Sequence, residues 1–150
     1  MRDVCRALWR RALPAHFLLH AHATSREVGL AGEALVARRL MARGARVLVK
    51  RHRTGIAEID LLLERGPELW LVEVKTGHLA RIRRPDGPPR WDPRGLPGKR
   101  LSRDQRTRLT AAARRILAAS PRHQRARVML VEVLVDRRAG ALECRVHEQR

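Results

Sequence analysis

Apolar and polar positions alternate along this chain in two different rhythms. From Ser25 to Arg43 the apolar residues recur at helical spacing. Leu30, Ala34, Ala37, Leu40 and Met41 form one stripe; Ser25 is placed to cap the start and Gly44 to close the end. Glu33 lies on or beside that stripe. Three short apolar runs follow: Arg46–Lys50, Ile56–Leu63 and Leu69–Thr76. They read as strands, and their near-continuous apolar character suggests a sheet covered on both faces. The Arg-Gly-Pro-Glu of residues 65–68 reads as the turn between the last two. Ser102–Ala119 reads as a second helix, with the capping-box spacing Ser102-x-x-Gln105 and an exit at Pro121. Val128–Val135 reads as a buried strand. Arg137–Gly140 turns the chain, and Leu142–His147 reads as an edge strand. The predicted order is α-β-β-β-α-β-β, an α/β fold without internal repeats.

Two stretches fall outside both rhythms. Residues 1–24 are basic, with no apolar run longer than Phe17–Leu19. They make a poor signal peptide and read either as a disordered or loosely docked extension or as the product of an upstream start codon. Residues 77–100 hold five of the eight prolines and four glycines, which predicts a long irregular flap. Residues 25–150 then form one domain carrying that flap, a length that can bury a core without disulfides or structural metal.

Charge changes the picture more than length does. Lys plus Arg is 33 against 15 Asp plus Glu, a net charge of +18; only Lys50, Lys75 and Lys99 are lysine. A surplus this large attracts polyanions, and nucleic acid is the first expectation because cations gain affinity there by releasing condensed counterions. An arginine-rich compositional bias without function is the bland alternative. No apolar run approaches the roughly 20 residues that span a bilayer, so no membrane partner is expected. Cys5 and Cys144 stand alone, without a Cys-x-x-Cys pair, which fits a reducing cytoplasmic setting.

The candidate chemistry lies in the hairpin. If the turn makes Glu64 pair with Leu69, paired residue numbers sum to 133, and Asp60 falls opposite Glu73 and Glu58 opposite Lys75. Two carboxylates that close repel one another, and a divalent cation between them reverses the sign of that interaction. Hard oxygen donors suit Mg²⁺ or Mn²⁺, with the Val74 carbonyl as a further oxygen and water or substrate phosphate completing the shell. Lys75, two residues beyond Glu73, is placed to orient a water or to stabilise phosphate charge, and Glu33 to support the site. The alternative is a solvent-facing side of the hairpin with Glu58–Lys75 as a cross-strand ion pair.

The strings Val28-Gly-Leu-Ala-Gly-Glu33, Ala57-Glu-Ile-Asp60 and Trp70-Leu-Val-Glu73-Val-Lys75-Thr76, followed by a basic helix, resemble the bacterial YraN/UPF0102 family. That family is similar to the Holliday-junction-resolvase branch of the restriction-endonuclease-like, PD-(D/E)xK nucleases. The resemblance runs from about residue 26 to 136 and implies a restriction-endonuclease-like core, a mixed sheet flanked by helices. It implies that Asp60 and Glu73 are metal ligands, that Lys75 and Glu33 are catalytic, and that Gln105 is a polar helper. Three departures stand out: Ala57 where the family has Gly, Gly77 where it has Arg, and Arg127–Val131 without the family's aspartate. None removes a proposed ligand.

The expectation is therefore a Mg²⁺- or Mn²⁺-dependent endonuclease acting on DNA, branched or structured DNA included. Arg81, Arg83, Arg84, Lys99, Arg100, Gln105 and Arg106 are the candidate nucleic-acid contacts, and a homodimer is a further partner. The rival is a binding module that keeps the fold without cleaving; a third reading is a basic structural protein of a ribonucleoprotein. His16, His20 and His22 read as surface histidines rather than a zinc site. Trp91 is placed to stack on a base or to anchor the flap, and Trp70 reads as core.

Overall fold

In a computed structural model, the structure describes residues 2–78, 81–82, 90–91 and 101–149. The elements are α1 (Arg2–Ala12), α2 (Pro14–His20), α3 (Ser25–Met41), β1 (Arg46–Arg53), β2 (Glu58–Arg65) and β3 (Glu68–His78). They continue with β4 (Arg81–Ile82), β5 (Arg90–Trp91), α4 (Arg103–Ala118), β6 (Arg125–Asp136) and β7 (Ala141–Gln149). Five strands form one mixed sheet in the order β1-β2-β3-β6-β7, flanked by helices, the arrangement of a restriction-endonuclease-like core. β1–β2 and β2–β3 are antiparallel. The chain passes from β3 to its neighbour β6 through α4. The predicted order holds, with additions: two helices ahead of α3, and a two-stranded sheet β4–β5 where the composition predicted only loop. There Arg81 pairs with Trp91 and Ile82 with Arg90.

Two compact units divide the chain. One comprises Met1–Leu35, Lys75–Lys99 and Glu132–Arg145; the other comprises Val36–Val74, Arg100–Val131 and Val146–Arg150.

In the first unit the N-terminal segment is helical and holds buried residues. Phe17 and Leu18 of α2 are fully buried. The Arg137 guanidinium donates to the carbonyls of Leu18 (3.0 Å) and Ala21 (2.5 Å), a cation on the orphan acceptors of a helix C-terminus. Arg6 of α1 lies over the Phe17 ring and pairs with Glu27 at 2.5 Å. The α3 cap lies one residue earlier than Ser25. The Glu27 amide donates to Thr24 Oγ1 (3.3 Å) while Glu27 Oε2 accepts from the Thr24 amide (2.9 Å), a reciprocal capping box. Arg6 foremost, with Thr24, pushes the Glu27 carboxyl down to about 2. Gly32 packs so closely on β3 that a Cβ there would lie 1.7 Å from Thr76 Oγ1. Between β6 and β7, Asp136 Oδ1 accepts from the Arg138 and Ala139 amides, and Gly140 turns with φ +63°.

In the second unit the core is built from Ile59, Leu62, Leu69 and Leu71 of the hairpin, Leu109, Ala112 and Ala113 of α4, and Val128 and Leu130 of β6. α3 ends in a Schellman motif: Ala45 N–H donates to the Leu40 carbonyl (3.1 Å) and Gly44 to that of Met41 (2.9 Å), with Gly44 at φ +86°. Met41, assigned to the apolar stripe by periodicity, is 53% exposed, because it sits in this terminal turn. The β2–β3 register is the predicted one, from Leu61↔Val72 to Arg65↔Glu68, every pair summing to 133. Its loop is tighter than expected, with Gly66 and Pro67 alone between the strands and Gly66 at φ +56°. Strand β1 carries a bulge: its register sums to 110 through Val47↔Leu63 and to 111 from Val49↔Leu62 onward, so Leu48 is the extra residue.

Candidate active site

The site begins at the turn before β2. Thr54 Oγ1 accepts from the Ile56 (3.2 Å) and Ala57 (3.0 Å) amides, and Gly55 takes φ +79°. This side-chain-to-backbone closure delays β2 until Glu58, although Ile56 and Ala57 are apolar. Beyond Leu61↔Val72, the next facing pair by register is Asp60 and Glu73. Here a side chain takes over from the backbone ladder: the Val74 N–H donates to Asp60 Oδ2 at 2.8 Å. A charge-assisted bond of this kind fixes the carboxylate's rotamer as well as its position.

Glu73 is buried, and its Oε1 accepts from Gln105 Nε2 at 2.7 Å. Gln105 sits three residues inside α4. Ser102 Oγ accepts the Gln105 N–H (3.1 Å), as the capping-box spacing predicted, but the Gln105 side chain goes to the carboxylate instead of back to the cap. A buried carboxylate needs partners, and this amide provides one.

Asp60, Glu73 and Gln105, together with Ala57, Glu58, Arg108 and Leu109, line one cleft of about 260 Å³. Arg108 follows Gln105 by three residues and so shares its helix face. It was not singled out from the sequence. The signal was available, since the spacing puts Arg108, rather than the nominated Arg106, beside Gln105. Arg106 is exposed on α4 and does not line the cleft.

Glu58 lines the cleft at its rim. It faces Arg53 of β1 in register and pairs with Arg51 and Arg53, each at 3.3 Å. Arg51 is the one non-glycine residue with positive φ among the described residues, at +52°. That backbone costs an L-residue roughly 1–2 kcal/mol. An exposed ion pair returns about 0–1 kcal/mol, and Arg51 and Glu58 side chains are 45% and 38% exposed. The pair does not offset the strain.

Lys75 and Glu33 belong to the first unit. Lys75 follows Val74 in β3; Glu33 lies in α3 next to Gly32, and Lys75 next to Thr76, so each adjoins the close approach of α3 to β3. Of the remaining nominated contacts, Arg83, Arg84, Lys99 and Arg100 lie outside the described residues, and Arg81 is described through its backbone pairing alone. Trp70 is buried as expected, its indole donating to Glu68 Oε2 at 2.9 Å. The rings of His16 and His20 lie 4.4 Å apart on α2, both exposed.

Among the described residues, no three His, Cys, Asp or Glu side chains gather as a metal cage. Asp60 and Glu73 instead offer two carboxylates in one cleft. That donor set fits Mg²⁺, which is commonly held by one or two carboxylates and keeps the rest of its shell for water and phosphate. No helix among the described residues is long and apolar enough to cross a membrane.

The family model of the uncharacterised protein family UPF0102 matches residues 32–133. A UPF0102 protein of Symbiobacterium thermophilum is 34% identical over 125 residues, covering 81% of this chain and 93% of that protein. One from Rhodopseudomonas palustris (strain HaA2) is 34% identical over 109 residues, covering 73% and 74%. One from Mesorhizobium japonicum is 51% identical over 47 residues, covering 31% of this chain and 38% of the relative, less than two thirds of its length.

Proposed function

Because the chain belongs to the UPF0102 family and lines one cleft with two hairpin carboxylates, we propose that it is a divalent-metal-dependent nuclease. Its proposed substrate is the phosphodiester backbone of DNA, branched or structured DNA included, in a cytoplasmic setting. The observation that carries this reading is the cleft that Asp60 and Glu73 share with Gln105 and Arg108.

Asp60 and Glu73 would hold Mg²⁺ or Mn²⁺, with the Val74 carbonyl as a further oxygen. When bound, such an ion lowers the pKa of a coordinated water and stabilises charge on the phosphoryl group. The chain's own residues prepare the site. The Val74 N–H holds Asp60 in one orientation, and the Gln105 amide holds Glu73. Arg108 supplies a guanidinium to a phosphate entering the cleft. Lys75 is assigned the water or phosphate oxygen by its place at i+2 from Glu73, and Glu33 a supporting role by resemblance. A homodimer belongs to the same proposal and is checked by molar mass in solution.

The test combines four-way junction, flap and linear DNA with Mg²⁺, Mn²⁺ or EDTA. Wild type is expected to cut one of these in a metal-dependent manner. Asp60→Ala and Glu73→Ala are expected to lose at least about a hundredfold, the scale of removing one electrostatic stabiliser. Lys75→Ala is expected to lose cleavage while keeping DNA binding. A melting-temperature rise on adding Mg²⁺ should vanish in the carboxylate variants. Cleavage that persists in both carboxylate variants, or binding without cleavage under every condition, would overturn the nuclease reading; the latter favours a binding module.

A further inference from the structure

We propose that Arg51, Arg53 and Glu58 form a phosphate-binding subsite at the cleft rim, in which Glu58 holds two guanidiniums until a nucleic-acid phosphate displaces it. The inference rests on the nucleic-acid reading of the cleft and adds a site to it. Three independent features of β1 converge on it.

The first is the bulge at Leu48. Without it the early register, summing to 110, would set His52 opposite Glu58; with it Arg53 takes that place. The extra residue re-aims the end of the strand so that a cation, not an imidazole, faces the rim carboxylate. The second is the left-handed backbone of Arg51, φ +52°. Arginine has no preference for that region, and strained backbone of this kind gathers at ligand-binding positions. From this backbone a second guanidinium reaches the same carboxylate, and Glu58 itself lines the cleft. The third is the looseness of the pairs. Both contacts are 3.3 Å, beyond the usual range for charge-assisted bonds, and the Arg53 side chain is 81% exposed. A phosphate offers three or more strong acceptors to the same planar donors and releases counterions as it binds. Glu58 therefore orders the guanidiniums in the free protein and yields them to a better anion.

The experiment is fluorescence anisotropy of a labelled DNA duplex in EDTA, across a salt series, with wild type, Arg51→Gly and Glu58→Gln. Glycine keeps the left-handed backbone and removes the guanidinium. Arg51→Gly is expected to bind more weakly, with the slope of log K against log salt reduced by about 1, and to melt at or above the wild-type temperature. Glu58→Gln is expected to bind more tightly than wild type at every salt concentration. Unchanged affinity and slope in Arg51→Gly, a melting temperature well below wild type, or weaker binding by Glu58→Gln would each overturn the subsite. Because no metal is present, the outcome is independent of cleavage: a failed nuclease assay leaves this result standing, and a failed subsite leaves the carboxylate chemistry untouched.

Discussion

Gln105 shows how a single side chain divides between fold and site. Its amide nitrogen is used by Ser102 to start α4, and its side chain is used by Glu73. Groups that orient a metal-binding carboxylate typically matter by about 10–100-fold in metal affinity or activity. Gln105→Ala is accordingly expected to raise the Mg²⁺ concentration for half-maximal cleavage by about that factor, with partial rescue at high Mg²⁺. Loss that Mg²⁺ does not rescue would make the contact structural. The cap was legible in the sequence because Ser-x-x-Gln ahead of an apolar stripe has one local reading. The reach to Glu73, 32 residues away, had only the family resemblance to suggest it. Arg51 had no sequence signal at all: left-handed backbone is read from Gly or Asn, and Arg51 is neither.

At the scale of elements, the hairpin was the most legible part. Two buried runs around Gly66-Pro67 admit one register, since a slip of one residue turns every apolar side chain to the other face. The bulge was not legible, because Val47-Leu48-Val49 offers no glycine or proline to mark it. The packing of α3 on β3 was equally hidden, since nothing local distinguishes Gly32 from Gly29. Yet a Cβ at Gly32 would lie 1.7 Å from Thr76 Oγ1 and 2.9 Å from Thr76 Cβ, whereas Gly29 has nothing within 4 Å. Gly32→Ala should cost about 1–3 kcal/mol by overpacking, and Gly29→Ala should be near neutral or stabilising. Denaturant titration of both measures the difference. Gly32→Ala combined with Thr76→Ala should recover part of the loss, a non-additivity expected of residues in contact.

Across the whole molecule, the N-terminal helices were hardest to foresee. Pro14 breaks their pattern and no long apolar run marks them, yet Phe17 and Leu18 are fully buried. Arg6 and Glu27 connect α1 to the start of α3. The Glu27 carboxyl, ordinarily near 4.5, is held at about 2 when folded. Its contribution is therefore complete above about 4.5 and is lost as pH falls from there toward 2. Amide-exchange protection in α1 and α2 should weaken over that interval before the rest of the chain opens. Glu27→Gln should lower that protection at neutral pH and flatten its acid dependence; an unchanged profile would remove Glu27 from the account.

β1 is an outer strand of the sheet, and an outer strand invites an identical chain to add itself edge to edge. The extra residue at Leu48 breaks the regular spacing of its outward amides and carbonyls, and Lys50, Arg51 and Arg53 would set like charges of two copies against each other. The same irregularity that sets Arg53 opposite Glu58 thus makes β1 a poor template for growth into a fibre.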